Sequence, residues 1–303
     1  MSTRTFLPAA ALLFALGAAA CSAGATPASS PTAPPSGAPS EAPTATPTPV
    51  VAGIAHPTGA KDIVLRYDSA GGFVPPEFLA ARVPYFTLYG DGRIVFVRSN
   101  AEPTGGDIGV GQPIRTAVLT EEQIQSLLQF ALTDGGLAAA RESYMNPMIA
   151  DAPTAVFTVN ADNDSKTVSA MGLGIDPPPG PDAQVLQRLN GLAERLRDFD
   201  QGGAIASDPY QAAAYRGVIT DATGVQAVPV RAWPWADVKA TEFAFPNDPN
   251  ALQQATAVLT PEQVASLNVE GASNGITGGI WVRDEAKKLY SLVIRPLLPD
   301  EAK

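Results

Sequence analysis

The chain has 303 residues, a formal net charge of −10, one histidine and one cysteine. That content excludes, within a single chain, the common His and Cys zinc sites, and the one histidine, His56, lies at the edge of a Pro-rich stretch, which argues against Ser-His-Asp or Cys-His catalysis. Lysine and arginine total 20 and are scattered along the sequence, which argues against a nucleic-acid partner and against a polybasic membrane contact.

Positions 1–20 read as an export leader. Arg4 is followed by an uncharged run from Phe6 to Ala20, about 15 residues where a spanning helix needs about 20. Ala18, Ala19 and Ala20 precede Cys21, the layout of a bacterial lipoprotein signal in which the leader is cut away and the cysteine becomes the lipidated first residue. The expectation is therefore acyl chains such as palmitate on Cys21, a membrane as partner, and a place on the outer face of a bacterial membrane in the cell envelope. Each buried methylene contributes about 0.8 kcal/mol, so two or three chains hold a protein where one only dwells. The alternative is an ordinary secretory leader cut at its Ala-x-Ala site, although a lone free thiol is unexpected in an exported chain.

The stretch 21–58 is rich in Pro, Ala, Ser and Thr. It lacks the large apolar side chains needed to offset chain entropy, and its prolines favour an extended conformation, so it reads as a disordered tether. At about 3.1 Å per residue such a tether gives the folded part reach. Globular composition follows, and it is read as two pieces, an α+β domain over 59–202 and a smaller α+β unit over 203–303.

The first element pair is the hairpin "YFTLYGDGRIVFV", in which Phe86, Leu88, Ile94 and Phe96 alternate and Gly90-Asp91-Gly92 supplies a positive-φ turn. "TAVLTEEQIQSL" from Thr116 then spells a helix start. Thr120 is the N-cap, Gln123 completes the capping box, Leu119 can staple to Ile124, and Ile124, Leu127, Leu128, Ala131 and Leu132 form one stripe. Strands "AVFTVNA" and "KTVSAMG" follow around the turn Asp162 to Ser165. A helix from about Asp182 carries Val185, Leu189, Leu192, Leu196 and Phe199 on one side.

In the second piece, "AAAYRGVIT" and "VPVRAWPW" read as strands joined by the turn Asp221 to Gly224, hence antiparallel neighbours. "TAVLTPEQVASL" from Thr256 repeats the first helix start almost letter for letter, with Thr260 as N-cap and Pro261 at the first helical position. Strands "GGIWVRD" and "KLYSLVIRPL" close the chain around Glu285 to Lys287. The predicted fold is α+β: two related units of antiparallel sheet with helices packed on one face.

"DIVLRYDSAGG", "YFTLYGDGRIVF", "LTEEQIQSLL", "DAPTAVFTVN" and "KTVSA", in that order, resemble an uncharacterised domain family of exported bacterial lipoproteins, built from a GDG hairpin, an LTxEQ helix and a closing hairpin. The likeness covers about residues 62–200. It implies a fold and a compartment, and carries no known activity. The second piece keeps the helix and final hairpin without the GDG turn.

Chemical signatures are few. No Gly-rich phosphate loop or GxGxxG follows a strand, so no cofactor is expected. Asp162-Asn163-Asp164 lacks the glycine and distal glutamate of a calcium loop, and no metal site is expected. Glu121-Glu122 fits the first turn of a helix, where the dipole favours acids. Ser165-Lys166 lies beside a polar turn and lacks the buried lysine that a catalytic dyad needs. The catalytic residues are unknown. Binding leaves fainter marks in Trp233 and Trp235 of "AWPW" and in Phe73 of "GGFVPPEF", aromatics on stiff backbone that suit sugars, peptides or proteins. A groove between the two units is a further place for a ligand. The functional expectation is an extracytoplasmic, lipid-anchored binding or interaction protein with an unknown envelope ligand. The alternatives are an envelope-polymer hydrolase using Asp/Glu acid-base chemistry and a structural spacer.

Overall fold

In a computed structural model of the chain, the described residues are 53–72, 75–98, 112–146, 149–175, 180–226, 229–247 and 252–302. The leader, Cys21 and most of the tether fall outside them. The described elements begin with β1 (Ile63–Ala70), the short helix α1 (Pro76–Ala80), β2 (Phe86–Tyr89), β3 (Arg93–Val97) and β4 (Gln112–Val118). Helix α2 (Glu121–Leu132) leads to β5 (Ser143–Tyr144), the hairpin β6 (Thr154–Ala161) and β7 (Asp164–Met171), and helix α3 (Ala183–Arg197). The chain ends with β8 (Asp208–Pro209), β9 (Tyr215–Asp221), β10 (Val230–Ala232), β11 (Ala255–Leu259), α4 (Pro261–Ser266), β12 (Gly275–Arg283) and β13 (Leu289–Pro296). Among the described residues no helix is long and apolar enough to cross a membrane.

The α+β class holds, with a mixed sheet. Its strands run in the order β11-β9-β13-β12-β4-β3-β2-β1-β6-β7-β5, with β10 added to β12 and β8 to β4. Two ladders, β5 with β7 and β10 with β12, are parallel where the sequence suggests only antiparallel pairs. The expected β9–β10 hairpin is the clearest correction. β9 pairs with β11 and β13, while β10 lies on the far side of β12. Pro229 and Pro234 bracket β10 and remove backbone donors, which restricts it to a three-residue edge strand.

Strict alternation along β2 and β3 feeds two cores. Phe86, Leu88, Ile94 and Phe96 share one core with Ile124 and Leu128 of α2 and Leu189, Leu192 and Leu196 of α3. Tyr89, Val95 and Val97 point the other way, into a core with Val218, Leu292, Ile294 and Leu259 from the later strands. Helices α2 and α3 cover one face of this sheet, and the C-terminal strands with α4 close the other. The two pieces expected from composition are therefore joined through buried side chains, and Val51–Lys303 form one compact unit.

Both capping boxes form as expected. Thr120 accepts from the Gln123 amide and Thr260 from the Gln263 amide, and each glutamine side chain returns a bond to its N-cap amide. The repeated motifs serve different cores, since Ile124 joins the helix side and Val264 the strand side.

The GDG turn has two distinct glycine requirements. Gly92 adopts φ 82°, and a side chain there would meet the Leu119 carbonyl oxygen at 2.7 Å. Gly90 is held by close approach instead, because a Cβ would lie 2.5 Å from the Pro57 carbonyl oxygen. The segment ahead of β1, assigned to the tether by composition, is thus a strap on the folded body. Gln125 accepts from the Ile54 amide at 2.7 Å and donates to its carbonyl at 2.9 Å, and the Asp162 carboxylate accepts from the Ala55 amide. Sequence composition misplaces this boundary because Gly53 to Thr58 gain order from tertiary partners rather than from local preference.

Candidate functional site

Trp233 and Trp235 sit two residues apart just after β10, on either side of Pro234, and their rings meet edge to face with centroids 5.5 Å apart at 86°. Phe243 stacks on Trp235 at 6.4 Å, and both Phe243 and Tyr290 meet Trp233 near a right angle. Each indole N–H is already used. Trp233 donates to the Val238 carbonyl at 2.6 Å and Trp235 to the Gln263 carbonyl at 2.8 Å. Trp235 is 5% exposed and belongs to the core, whereas Trp233 is half-buried. Of the two tryptophans, one is a wall of the site and the other its support. Phe73 lies outside the described residues.

Trp233 and Pro234 border an open cleft of about 900 Å³ between the Trp233–Thr241 loop, β10 and the β12–β13 turn. Its rim carries Arg231, Lys239, Arg283 and Lys287 against Asp284 and Glu285. In a chain of net charge −10 this is a local excess of cations. The two guanidinium groups are pinned by backbone rather than by acids: Arg231 donates to the Leu267 carbonyl at 2.8 Å and Arg283 to the Lys287 carbonyl at 3.3 Å. Among the described residues none of the four cations forms an ion pair within 4.0 Å. Asp284 is turned to local work, accepting from the Lys288 amide at 2.7 Å.

The parallel register of β10 with β12 sets Ala232 opposite Arg283 and so brings "VRAWPW" onto the final turn. The four cations were missed in the sequence for this reason. Arg231 stands two residues before Trp233, but its place on the same cleft as Arg283 and Lys287 depends on a strand pairing between distant segments. All of the cleft's walls come from the second piece; where the two pieces meet, buried side chains pack together, and a shallow cavity of about 500 Å³ lies between Arg98 and Arg115 of the first and Gly203 to Asp208 of the second.

A second cavity of about 610 Å³ lies between the end of β7 and the start of α3, with Tyr144, Met171, Leu173 and Leu186 in its lining and Met145, 73% exposed, at its edge. Three separated segments build it, and no motif in the sequence marks it.

The remaining chemical candidates have structural partners. Glu121 opens the first turn of α2, accepts from Gln125 at 2.8 Å and stands 3.3 Å from His56, and its carboxyl is held low first by the Gln125 bond. Glu122 is lowered by backbone amide and Thr120 bonds at the same helix start. Asp91 accepts from the Arg93 amide and guanidinium within its turn. Asp162 and Asn163 are the two positive-φ residues of a tight hairpin turn, and among the described residues no His, Cys, Asp and Glu cluster suits a metal. Lys166 is only half-buried and donates to the Ala138 carbonyl, unlike the desolvated lysine of a Ser-Lys dyad. Among the described residues, every carboxyl with a displaced pKa is displaced downward: Glu121, Glu122, Asp221, Glu262, Asp300 and Glu301.

Comparison with protein-family models, with curated proteins and with solved structures finds no match. The geometry of the cleft therefore carries the functional argument.

Proposed function

We propose that the chain is an extracytoplasmic binding protein, fastened to a bacterial membrane through lipid on Cys21 and holding an envelope ligand in the Trp233 cleft. The observation that carries this reading is a half-buried tryptophan, locked by three other aromatic rings, at the wall of an open cleft of about 900 Å³. A rigid aromatic wall contributes contact area with little loss of side-chain entropy. Such a cleft needs neither metal nor nucleophile to work. The hydrolase alternative would want a carboxyl raised toward neutrality to act as general acid, and the downward displacement of the titrating carboxyls gives it no support.

The lipoprotein leader, the tether and the family likeness over about 62–200 belong to the same proposal. So does the kinship of the two pieces, which the recurrence of strand, capping box and helix supports, although the strands around the two motifs are ordered differently. Metabolic acyl labelling tests the anchor: label is expected on the wild type and lost in Cys21→Ser, and membrane retention of an unlabelled Cys21→Ser chain would refute it. Calorimetric titration of the mature chain with solubilised envelope glycan tests the site. Heat of binding is expected for the wild type and not for Trp233→Ala, and equal binding by both would remove the cleft from consideration.

A further inference from the structure

We infer that the cleft takes an acidic saccharide, with its negative groups on Arg231 and Arg283 and an apolar sugar face against Trp233. The inference rests on the cleft being the ligand site and adds the chemistry of what fills it.

Charge comes first. Four cations and two acids line the cleft, a net excess of positive charge. Guanidinium groups recognise carboxylate, sulfate or phosphate through paired N–H donors, and a guanidinium held by a neutral carbonyl keeps its full charge while losing orientational freedom. Arg231 and Arg283 are both held this way. Both guanidinium groups line the cleft and neither has an acidic partner within 4.0 Å among the described residues, which leaves each open to an anion.

The aromatic side decides between classes of anion. Both indole N–H groups are consumed by backbone carbonyls, so the wall offers hydrocarbon and π surface and no donor. Sugar rings present C–H faces that pack on such a wall. An acidic peptide would instead draw on main-chain hydrogen bonds from a free strand edge. The edge available here is β10, three residues long and bracketed by Pro229 and Pro234, which gives a peptide almost no ladder to extend. A nucleic acid would meet an otherwise acidic molecule beyond this one patch.

Polygalacturonate, neutral dextran and poly-glutamate serve as probes for calorimetric titration of the mature chain. Polygalacturonate is expected to bind, dextran and poly-glutamate at least about tenfold more weakly, and the double variant Arg231→Gln with Arg283→Gln to lose about tenfold or more for polygalacturonate. Raising salt from about 0.1 M to about 1 M shortens the screening length from about 10 Å to about 3 Å. Wild-type affinity should fall accordingly, a readout that stands even where the double variant folds poorly. Dextran bound as tightly as polygalacturonate, with no salt effect, overturns the charge inference while the cleft reading survives, provided Trp233→Ala still abolishes binding. Poly-glutamate bound as tightly as the glycan overturns the saccharide class. Failure of polygalacturonate to bind overturns the inference outright, and binding unaffected by Trp233→Ala overturns it together with the cleft.

Discussion

Trp233 and Trp235 differ by two positions and by almost everything else. Trp235 is stacked on Phe243, donates to the carbonyl of Gln263 inside α4 and is nearly closed to solvent. Trp233 shares the aromatic cluster but keeps part of its surface on the cleft. Truncating Trp235 leaves a cavity in a close-packed core and removes one of two donors to the Gln263 carbonyl, the Ser266 hydroxyl remaining, so Trp235→Ala is expected to lower stability by roughly 3–5 kcal/mol. Trp233→Ala exposes less and should cost clearly less. Urea unfolding followed by circular dichroism ranks the two, and equal losses would contradict the division between wall and support. Both tryptophans stood out in the sequence as aromatics on stiff backbone. Their separation into two roles did not, because it depends on Phe243, Gln263 and Tyr290, all distant along the chain.

At the level of elements, the sequence was most informative where the signal is local. The two capping boxes are complete within four residues each, so Thr120 and Thr260 could be read directly, and the stripes of α2 and α3 fall where their spacing puts them. The hydroxyl of Thr120 satisfies one amide that α2 would otherwise leave open, and its removal in Thr120→Ala is expected to cost about 1 kcal/mol, with Thr120→Ser close to neutral. Chemical denaturation of the three proteins measures this, and an unstable serine variant would mean that the methyl group, not the cap, matters. Pairing between strands was less legible. β9 and β10 look like a hairpin because a turn-rich segment separates them, yet β13 occupies the place beside β9 and leaves β10 the outer side of β12. That choice is made by packing of the C-terminal hairpin; the prolines of "VPVRAWPW" restrict β10 to an edge but do not name the strand it joins. The cleft inherits the same limit, since Arg231 is brought beside the β12–β13 turn only through this parallel pairing.

For the whole molecule, the end of the chain acts as a clasp between the two pieces. Asp300 accepts from Arg66 at 2.8 Å and from the Tyr89 hydroxyl at 2.6 Å, joining the C-terminal turn to β1 and β2. Glu301 accepts from Arg295 at 2.5 Å and from the Leu298 amide at 3.0 Å, and stands 3.5 Å from Arg216. Arg295 is 2% exposed, so its partner neutralises a charge within the core. Burial alone would raise both carboxyls, but the bonds from Arg66 and Tyr89 to Asp300, and from Arg295 to Glu301, outweigh it and leave both below their ordinary values. A carboxyl held lower in the folded state than in the unfolded chain adds stability that is fully present above the unfolded pKa of about 4 and is lost as pH falls through the folded value. Thermal stability is therefore expected to be level near neutral pH and to drop on acidification below about pH 4. In the double variant Asp300→Asn with Glu301→Gln the protein should start from a lower midpoint, because Arg66 and Arg295 lose their charged partners, and should show a shallower further fall with acid. Thermal melts of both proteins between about pH 7 and about pH 3 read this directly. Parallel curves would assign the acid sensitivity to other carboxylates and leave the C-terminal turn as a passive cover.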